Sequence, residues 1–258
     1  MDSQARFSNR VDDYIRYRPR YPARVIDFLA NQCGLAASDV VADIGSGTGI
    51  LSELFLKNGN RVIGVEPNAE MRQAGERILA NYPHFTSVAG SAEATSLDDA
   101  SVDFATAAQA FHWFDRDRAR AEFARILKSG GSAVLLWNER RTDTTPFLRD
   151  YEELLVAYGT DYQEVRHENV YENIAAFFAP NDFRLESFEN LQVFDYDGLK
   201  GRLLSSSYVP AEGEPRCAEM LNALQLVFEV HQQDGRVVVE YDTRVYFGQM
   251  HKSAKADD

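Results

Sequence analysis

The sequence of 258 residues predicts an α/β fold, in which a mostly parallel β-sheet carries helices on both faces. Three observations predict it. Short apolar runs of strand length alternate with longer helical patterns along the chain. The first run, Val40–Ile44, leads directly into a glycine-rich loop, Gly45–Gly49. The second run ends at an acid, Glu66, which places a carboxylate at the carboxyl end of the neighbouring strand.

Periodicity and terminating residues predict the elements in order. Pro22 suits the first position of a helix that extends to Cys33, Gly59 suits a helix end, and Asn68 suits a helix N-cap. Strands are predicted at 40–44, 61–66, 85–89, 102–107, 132–138, 183–194 and 236–247. Helices are predicted at 22–33, 48–58, 68–80, 118–128, 144–158, 170–178, 197–205 and 214–232.

Composition limits the classes of function. The formal net charge of −13 disfavours a nucleic-acid partner, because phosphate binding needs a basic field, although a local patch around Arg16, Arg18 and Arg20 escapes that argument. No apolar run of membrane-spanning length and no apolar leader is present, so we expect neither a membrane partner nor secretion. Two cysteines, Cys33 and Cys217, predict a reducing, cytoplasmic compartment and no metal site.

The glycine spacing indicates which nucleoside is bound. The loop reads G-x-G-x-G, whereas dinucleotide-binding loops read G-x-G-x-x-G. Asp43, two residues before the loop, would repel a pyrophosphate but suits a ligand with an amine and a sulfonium cation. This combination resembles motif I of the class I S-adenosylmethionine (SAM) dependent methyltransferases. Further segments at 90–93, 103–114 and 125–134 resemble other motifs of that family, so the resemblance covers about 38–139.

The resemblance implies a Rossmann-like class I methyltransferase fold. Its sheet would be seven-stranded and mostly parallel with the last strand antiparallel, helices would lie on both faces, and helical insertions would form a lid. We expect one domain over 1–258, with its core at about 22–139 and 183–247. The helical insertions, at about 140–180 and 197–232, would cover the substrate. The oligomeric state is not predicted.

The resemblance also implies a role for each cofactor-binding residue. The backbone of Gly45, Ser46 and Gly47 would follow the methionine part of SAM, Asp43 would bind its amino group, and Glu66 would accept both ribose hydroxyls. Around the adenine and the sulfonium we expect Pro67, Met71, Ser91, Ala92, Glu93, Gln109, Ala110 and Phe111. Three alternatives stay open: Asp43 as a capping acid for the loop, Glu66 as a solvated acid at the end of its strand, and Met71 as an ordinary core residue of its helix.

Two aromatic segments supply the remaining candidates. In the run 111–114, which follows a strand, His112 is a candidate general base, with a structural turn as the alternative. The arginine- and tyrosine-rich leader resembles that of small-molecule methyltransferases that act on carboxylic acids, of the trans-aconitate or type 11-like kind. Tyr14 and Arg18 would then contact the methionine carboxylate or the substrate, unless the leader is a solvated arm. Arg140 and Arg141 would either face an anionic substrate or be solvated.

These observations predict an enzyme that transfers a methyl group from SAM to a small-molecule acceptor, with a carboxylic acid as one expectation. Three alternatives stay open. The protein could bind SAM without catalysis or serve as a regulator, it could methylate a macromolecule, or it could be an NAD-dependent oxidoreductase. The acceptor and the methylated atom are not predicted, because the insertions contain no motif that identifies them.

Overall fold

The computed structural model describes residues 16–160, 162, 170–206 and 208–250. In the described part of the chain, no helix is long and apolar enough to cross a membrane. The elements, in chain order, are α1 (Arg24–Cys33), β1 (Val40–Ile44), α2 (Ile50–Lys57), β2 (Arg61–Val65), α3 (Ala69–Ile78), β3 (Phe85–Val88), β4 (Val102–Ala108), α4 (Arg116–Ile126), β5 (Leu127–Arg140), α5 (Pro146–Tyr158), α6 (Val170–Phe178), β6 (Arg184–Phe194), α7 (Tyr196–Leu204), α8 (Pro215–His231) and β7 (Val237–Gln249).

The seven strands form one sheet in the order β3-β2-β1-β4-β5-β7-β6. Strands β1 to β5 pair in parallel, with Val41 opposite Val62 on one side and opposite Phe104 on the other. The last strand, β7, is antiparallel, which confirms the predicted fold class. The strand order reverses direction between β1 and β4, and ligands of such sheets bind beyond the strand ends at this switch point.

The chain divides into two compact units. We call the first the core unit; its described residues are 20–137, 170–188 and 243–250. We call the second the helical unit; its described residues are 16–19, 138–160, 162, 189–206 and 208–242. The single domain expected from the sequence stays a prediction.

Strand β1 is buried on both faces of the sheet, and successive side chains of a strand point to opposite sides. In β1, Val41 faces a cluster built with α1 and α2, to which Leu29 and Phe55 contribute. Its neighbours Ala42 and Ile44 face the other cluster, which contains Phe123 of α4. This double burial explains why β1 reads as a continuous apolar run.

The helical unit has its own apolar core. Phe147, Tyr151 and Leu155 of α5 pack with Leu224 of α8 and with Val239 of β7. The N-cap of α5 is Thr145, whose hydroxyl oxygen accepts a hydrogen bond from the Leu148 amide at 3.2 Å. The predicted helical pattern of α5 is therefore confirmed, with its start two residues later than expected.

The element bounds agree closely with the sequence prediction where a capping residue or an apolar run marks them. Strand β1 has its predicted bounds, and the Asn68 side chain caps α3 as predicted, accepting from the amides of Glu70 and Met71 at 2.9 and 3.0 Å. The start of β5 was predicted wrongly. The segment 128–131 extends the strand rather than forming a turn before it, with a register irregularity opposite, between Val102 and Phe104.

Candidate functional site

The glycine loop lies between β1 and α2 at the carboxyl edge of the parallel strands. The amides of Gly45 and Ser46 both donate to the carbonyl oxygen of Val65, at 2.8 and 3.1 Å, which fastens the loop to the end of β2. Gly45 has φ +70°, and a Cβ there would lie 2.7 Å from the Cβ of Ala110. The backbone conformation and the contact with the turn after β4 thus both require glycine at this position, whether or not a ligand also needs the space.

Glu66 follows β2 and holds the loop from the other side. Its side chain is buried; Oε2 accepts from the Gly47 amide at 2.9 Å, and Oε1 accepts from the Asn68 amide at 2.8 Å. Burial raises the pKa of Glu66, although the two amides and Arg72 oppose this. Because a carboxylate can accept about four hydrogen bonds, two positions remain for ribose hydroxyls.

Asp43, near the end of β1, is the most deeply buried acid of the site, with 1 % of its surface exposed. Its Oδ2 accepts from the Ser52 hydroxyl of α2 at 2.6 Å, whereas Oδ1 has no hydrogen-bond partner among the described residues. Burial raises the pKa of Asp43 to about 7, against the Ser52 bonds that lower it. An unpaired buried carboxylate oxygen fits the ammonium group of SAM.

Helix α3 brings Met71 to the loop. A Cβ added at Gly47 would lie 3.4 Å from the Met71 Cε, and one added at Gly75 would lie 3.2 Å from the Gly47 carbonyl oxygen. Met71 itself is buried, whereas Pro67 is exposed. Met71 therefore contributes to the helix core and also lies beside the loop, so both interpretations of this residue stay open.

The segment after β3 forms a tight turn at the predicted adenine-binding residues. The amide of Ser91 donates to the carbonyl of Ala94 at 3.1 Å, and the amide of Ala94 donates back at 3.3 Å. Ala92 is buried. Glu93 has a structural partner, because its Oε1 accepts from the Asp115 amide at the start of α4, at 2.9 Å.

A buried ionic network, which the sequence reasoning missed, fixes this turn. Glu122 of α4 accepts from the Thr95 amide at 2.7 Å and from the Thr95 hydroxyl at 2.5 Å, and Arg125 donates to it twice at 2.8 Å. Although burial acts to raise the pKa of Glu122, the bonds from Arg125 and Thr95 outweigh it and lower the pKa to about 2. Thr95 and Glu122 lie 27 residues apart, and no sequence period indicates a contact over that distance.

The turn after β4 contains the residues predicted at the sulfonium. Gln109 adopts φ +55°, and its amide donates to the carbonyl of Leu136 at 3.0 Å. The methyl group of Ala110 lies against Gly45, so this turn meets the glycine loop directly. The ring of Phe111 is buried, 5.0 Å from the ring of Phe177, and therefore serves the core rather than an exposed pocket wall.

The aromatic run that begins with Phe111 divides between core and surface. Phe114 is half-buried and makes an edge contact with the Phe111 ring at 6.0 Å between centroids. His112 and Trp113 are exposed, and their ring centroids lie 4.7 Å apart. His112 is thus available to a substrate, as a general base must be, at the carboxyl end of the sheet.

The candidates from the leader and the insertions lie in the helical unit or outside the described residues. Tyr14 lies outside them, so its predicted contact is not tested. Arg18 is half-buried and donates from Nη2 to the carbonyl of Ser205 at 2.9 Å. Arg140 is largely buried and pairs with Glu152. Arg141 pairs with Asp242 at 2.7 Å, an ion pair that neither interpretation from the sequence included.

Comparison with known proteins supports the same cofactor. Residues 42–135 match the family model described as a methyltransferase domain, and this range contains every site residue of the core unit named above from Asp43 to Phe111. An uncharacterised methyltransferase of Mycobacterium tuberculosis is 38% identical over 165 residues, which are 64% of this chain and 63% of the relative. An uncharacterised methyltransferase-like protein of Schizosaccharomyces pombe is 32% identical over 60% of this chain and 59% of its own length. The chain thus matches less than two thirds of the length of these relatives.

Solved structures share the fold. A candidate type II methyltransferase from Anaeromyxobacter dehalogenans superposes with a TM-score of 0.70 at 25% identity, covering 92% of this chain and all of the other. A candidate methyltransferase of an antibiotic biosynthesis pathway in Anabaena variabilis gives a TM-score of 0.63 at 22% identity, covering 91% of this chain and 99% of the other. The sheet topology, the glycine loop with its two acids and the family model agree: residues 42–135 match a methyltransferase domain, within a fold that solved methyltransferase structures share.

Proposed function

We propose that this protein transfers a methyl group from SAM to a small-molecule acceptor. The observation that carries the proposal is the pair of buried acids on either side of the glycine loop. Asp43 has an unpaired oxygen for an ammonium group, and Glu66 keeps acceptor capacity for two hydroxyls while it holds the Gly47 amide. A ligand that carries a cation and a ribose satisfies both acids, whereas Asp43 would repel a pyrophosphate.

The proposed chemistry needs positioning more than acid–base groups. Bound SAM supplies an activated methyl group; the acceptor atom forms the new bond to the methyl carbon as the bond to sulfur breaks, and sulfur keeps the electron pair. The residues of this chain must hold the two reactants in line at about 3–3.5 Å and exclude water. Asp43 and Glu66 would fix the two ends of the cofactor, and the Gln109–Ala110 turn would lie at the reacting end.

The need for a base depends on the acceptor. A carboxylate acceptor carries its own negative charge and loses no proton on methylation, so His112 would then only line the site. A phenol, a protonated amine or a carbon acid must lose a proton, and the exposed imidazole of His112 is the candidate to take it. We therefore assign His112 a role that is conditional on the acceptor.

The distribution of charge in the protein favours an acidic small molecule as the acceptor. A net charge of −13 disfavours RNA or DNA, whose binding needs many cations at once. The buried arginines of the helical unit favour an acidic small molecule. A reducing, cytoplasmic location is part of the same proposal and is supported by the two free thiols, Cys33 and Cys217.

The test is release of S-adenosylhomocysteine by the purified protein. SAM is supplied with panels of small carboxylic acids, phenols and amines, and in parallel with RNA and protein fractions. We expect product with a small acid, loss of this product in Glu66→Ala, and unchanged product in the matched control Glu76→Ala, which changes an exposed acid of α3. Product with macromolecules alone, or SAM binding without product from any panel, would contradict the proposal.

A further inference from the structure

Arg202 is a buried cation in the last turn of α7, with 7 % of its surface exposed. Its Nε donates to the Tyr241 hydroxyl at 3.2 Å, and its Nη1 donates to the Ser206 hydroxyl at 3.1 Å. Among the described residues, no carboxylate lies within salt-bridge distance of this guanidinium. An arginine does not lose its proton in proteins, so its full charge is buried against neutral hydroxyls.

The guanidinium of Arg202 is held in place by a chain of hydrogen bonds. Tyr241, which accepts from Arg202, donates in turn to Gln192 Oε1 at 2.9 Å, and the Gln192 amide group donates to the carbonyl of Tyr17 at 3.1 Å. The ring of Tyr17 packs so closely on Gly201 that a Cβ there would lie 2.1 Å from it. A cation that is both buried and fixed is pre-organised to bind a ligand.

Two further arginines, Arg18 and Arg140, act on the same tyrosine as Arg202, namely Tyr208. Arg18 donates to Ser205, and Arg140 lies with its guanidinium carbon 5.2 Å from the centre of the Tyr151 ring. Burial acts to raise the pKa of Tyr208, but Arg202, Arg18 and Arg140 outweigh it, so this pKa lies below its usual value. The Tyr208 hydroxyl therefore lies in a strongly positive field.

Glu152, a carboxylate beside Arg140, already forms an ion pair with that arginine. Glu152 pairs with Arg140 and also accepts from the Tyr162 hydroxyl at 2.6 Å, while Arg140 donates to that same hydroxyl at 2.8 Å. The negative charge of Glu152 thus compensates the positive charge of Arg140, and the positive charge of Arg202 has no counter-charge among the described residues. Burial of a charge without a counter-charge is costly, which indicates that an anion from outside the described chain completes the site.

We propose that the helical unit contains a binding site for an organic carboxylate, centred on Arg202 and including Arg18 and Tyr208. The planar fork of a guanidinium binds two oxygens of a carboxylate at once. The occupant is the acidic group of the methyl acceptor, and this part rests on the proposed function. The site sets acceptor specificity, because a neutral isostere leaves the cation unpaired.

The test compares three variants in binding assays on the full chain. Arg202→Met removes the charge, Arg202→Lys keeps it without the fork, and Arg216→Met is the matched control at an exposed arginine of the same unit. The probes are succinate and benzoate, each beside its isosteric amide, and inorganic phosphate. We expect carboxylates, and not amides, to raise the melting temperature of the wild type, with affinity about 10- to 100-fold weaker in Arg202→Met.

Stability without ligand separates a binding role from a structural role. If Arg202 awaits an anion, Arg202→Met should melt at the wild-type temperature or above, because an apolar residue replaces an unpaired buried charge. A lower melting temperature together with unchanged carboxylate binding would overturn the proposal. A phenolate absorbance at neutral pH that disappears in Tyr208→Phe would also overturn it, since Tyr208 would then supply the counter-charge.

The remaining comparisons distinguish the source of the carboxylate. If Arg202→Met weakens SAM but not decarboxylated SAM, the occupant is the cofactor carboxylate, and the assignment to the acceptor is wrong. If phosphate binds and carboxylates do not, the proposed class is wrong. Carboxylate binding that depends on Arg202 without any methyl transfer would support the site while contradicting the proposed function. Turnover on neutral acceptors that is insensitive to Arg202→Met would support the proposed function while contradicting the carboxylate site.

Discussion

The substitution Asp43→Asn separates two effects of this buried acid, the loss of folding stability when it ionises and the gain in SAM affinity. The substitution keeps the shape of the side chain, and the amide oxygen can still accept the Ser52 hydroxyl that now bonds to Oδ2 at 2.6 Å. It removes the ionisation and places an amide NH2 group where Oδ1 was. We expect the variant to be more stable than the wild type at slightly alkaline pH and to bind SAM more weakly.

The size of the stability effect follows from the pKa of Asp43. Burial raises this pKa from 3.8 to about 7, and about three units at 1.36 kcal/mol each amount to about 4 kcal/mol. Because the folded state holds the proton more tightly than the unfolded chain, this stability is present below about pH 4 and is lost as pH rises through about 7. Asp43→Asn should equal the wild type near pH 4 and exceed it by up to about 4 kcal/mol near pH 8.

Cofactor binding should show the opposite dependence on pH. A cation beside Oδ1 favours the ionised acid, so binding below about pH 7 must release a proton, and the SAM dissociation constant should rise about tenfold per pH unit lost. Asp43→Asn should lack this slope and bind about 10- to 100-fold more weakly near pH 8. Calorimetry in buffers of different ionisation enthalpy measures both the SAM affinity and the number of protons released on binding. An affinity that is flat with pH in the wild type would refute the placement of the ammonium at Asp43, and Asp27→Asn, an exposed acid of α1, is the control.

Three further predictions concern neighbouring residues. Glu66→Ala should weaken SAM binding by roughly 3–6 kcal/mol, since two hydroxyls lose a charged acceptor at about 1.5–3 kcal/mol each; near-unchanged affinity in calorimetry would contradict the ribose assignment. Glu122→Gln should lower stability at neutral pH by roughly 1.5–3 kcal/mol. Because the lowered pKa of Glu122 gives stability that is lost as pH falls from about 4.5 towards about 2, the variant should also show a flatter acid limb in denaturation. With a phenol, an amine or a carbon acid as acceptor, His112→Ala should lower the turnover number while the SAM dissociation constant stays the same, and with a carboxylate acceptor the loss of turnover should be small; an equal loss in turnover and SAM affinity would place the ring at the cofactor.

The sequence predicted well those features that depend on neighbouring residues. The apolar run of β1, the Asn68 cap and the glycine loop each express a local requirement of backbone geometry or burial, and the structure confirms them. Glu66 also follows from local pattern, because the end of an apolar run fixes where the strand ends. The order of these segments was enough to predict the parallel sheet and the similarity to a methyltransferase domain that residues 42–135 match.

The sequence did not predict contacts between segments that are distant in the chain. Arg202 lies 39 residues from Tyr241, and Glu122 lies 27 residues from Thr95, so no period connects either pair. Ser52 was the nearest miss, because a hydroxyl on the first turn of α2 could have been placed beside Asp43. The aromatic run was also ambiguous, since pattern alone cannot say that Phe111 is buried and His112 exposed.

The two candidate sites use charges of opposite sign, and this would explain how an acidic protein takes the anionic acceptor proposed above. The net charge of −13 acts at long range, but physiological salt screens exposed charges beyond about 8 Å. A small carboxylate that reaches Arg202 interacts with a buried, weakly screened cation, so local charge decides its binding. A nucleic acid, in contrast, must place many phosphates on the surface at once, where the acidic field opposes every contact. Net charge therefore argues against a polyanion without arguing against a single carboxylate.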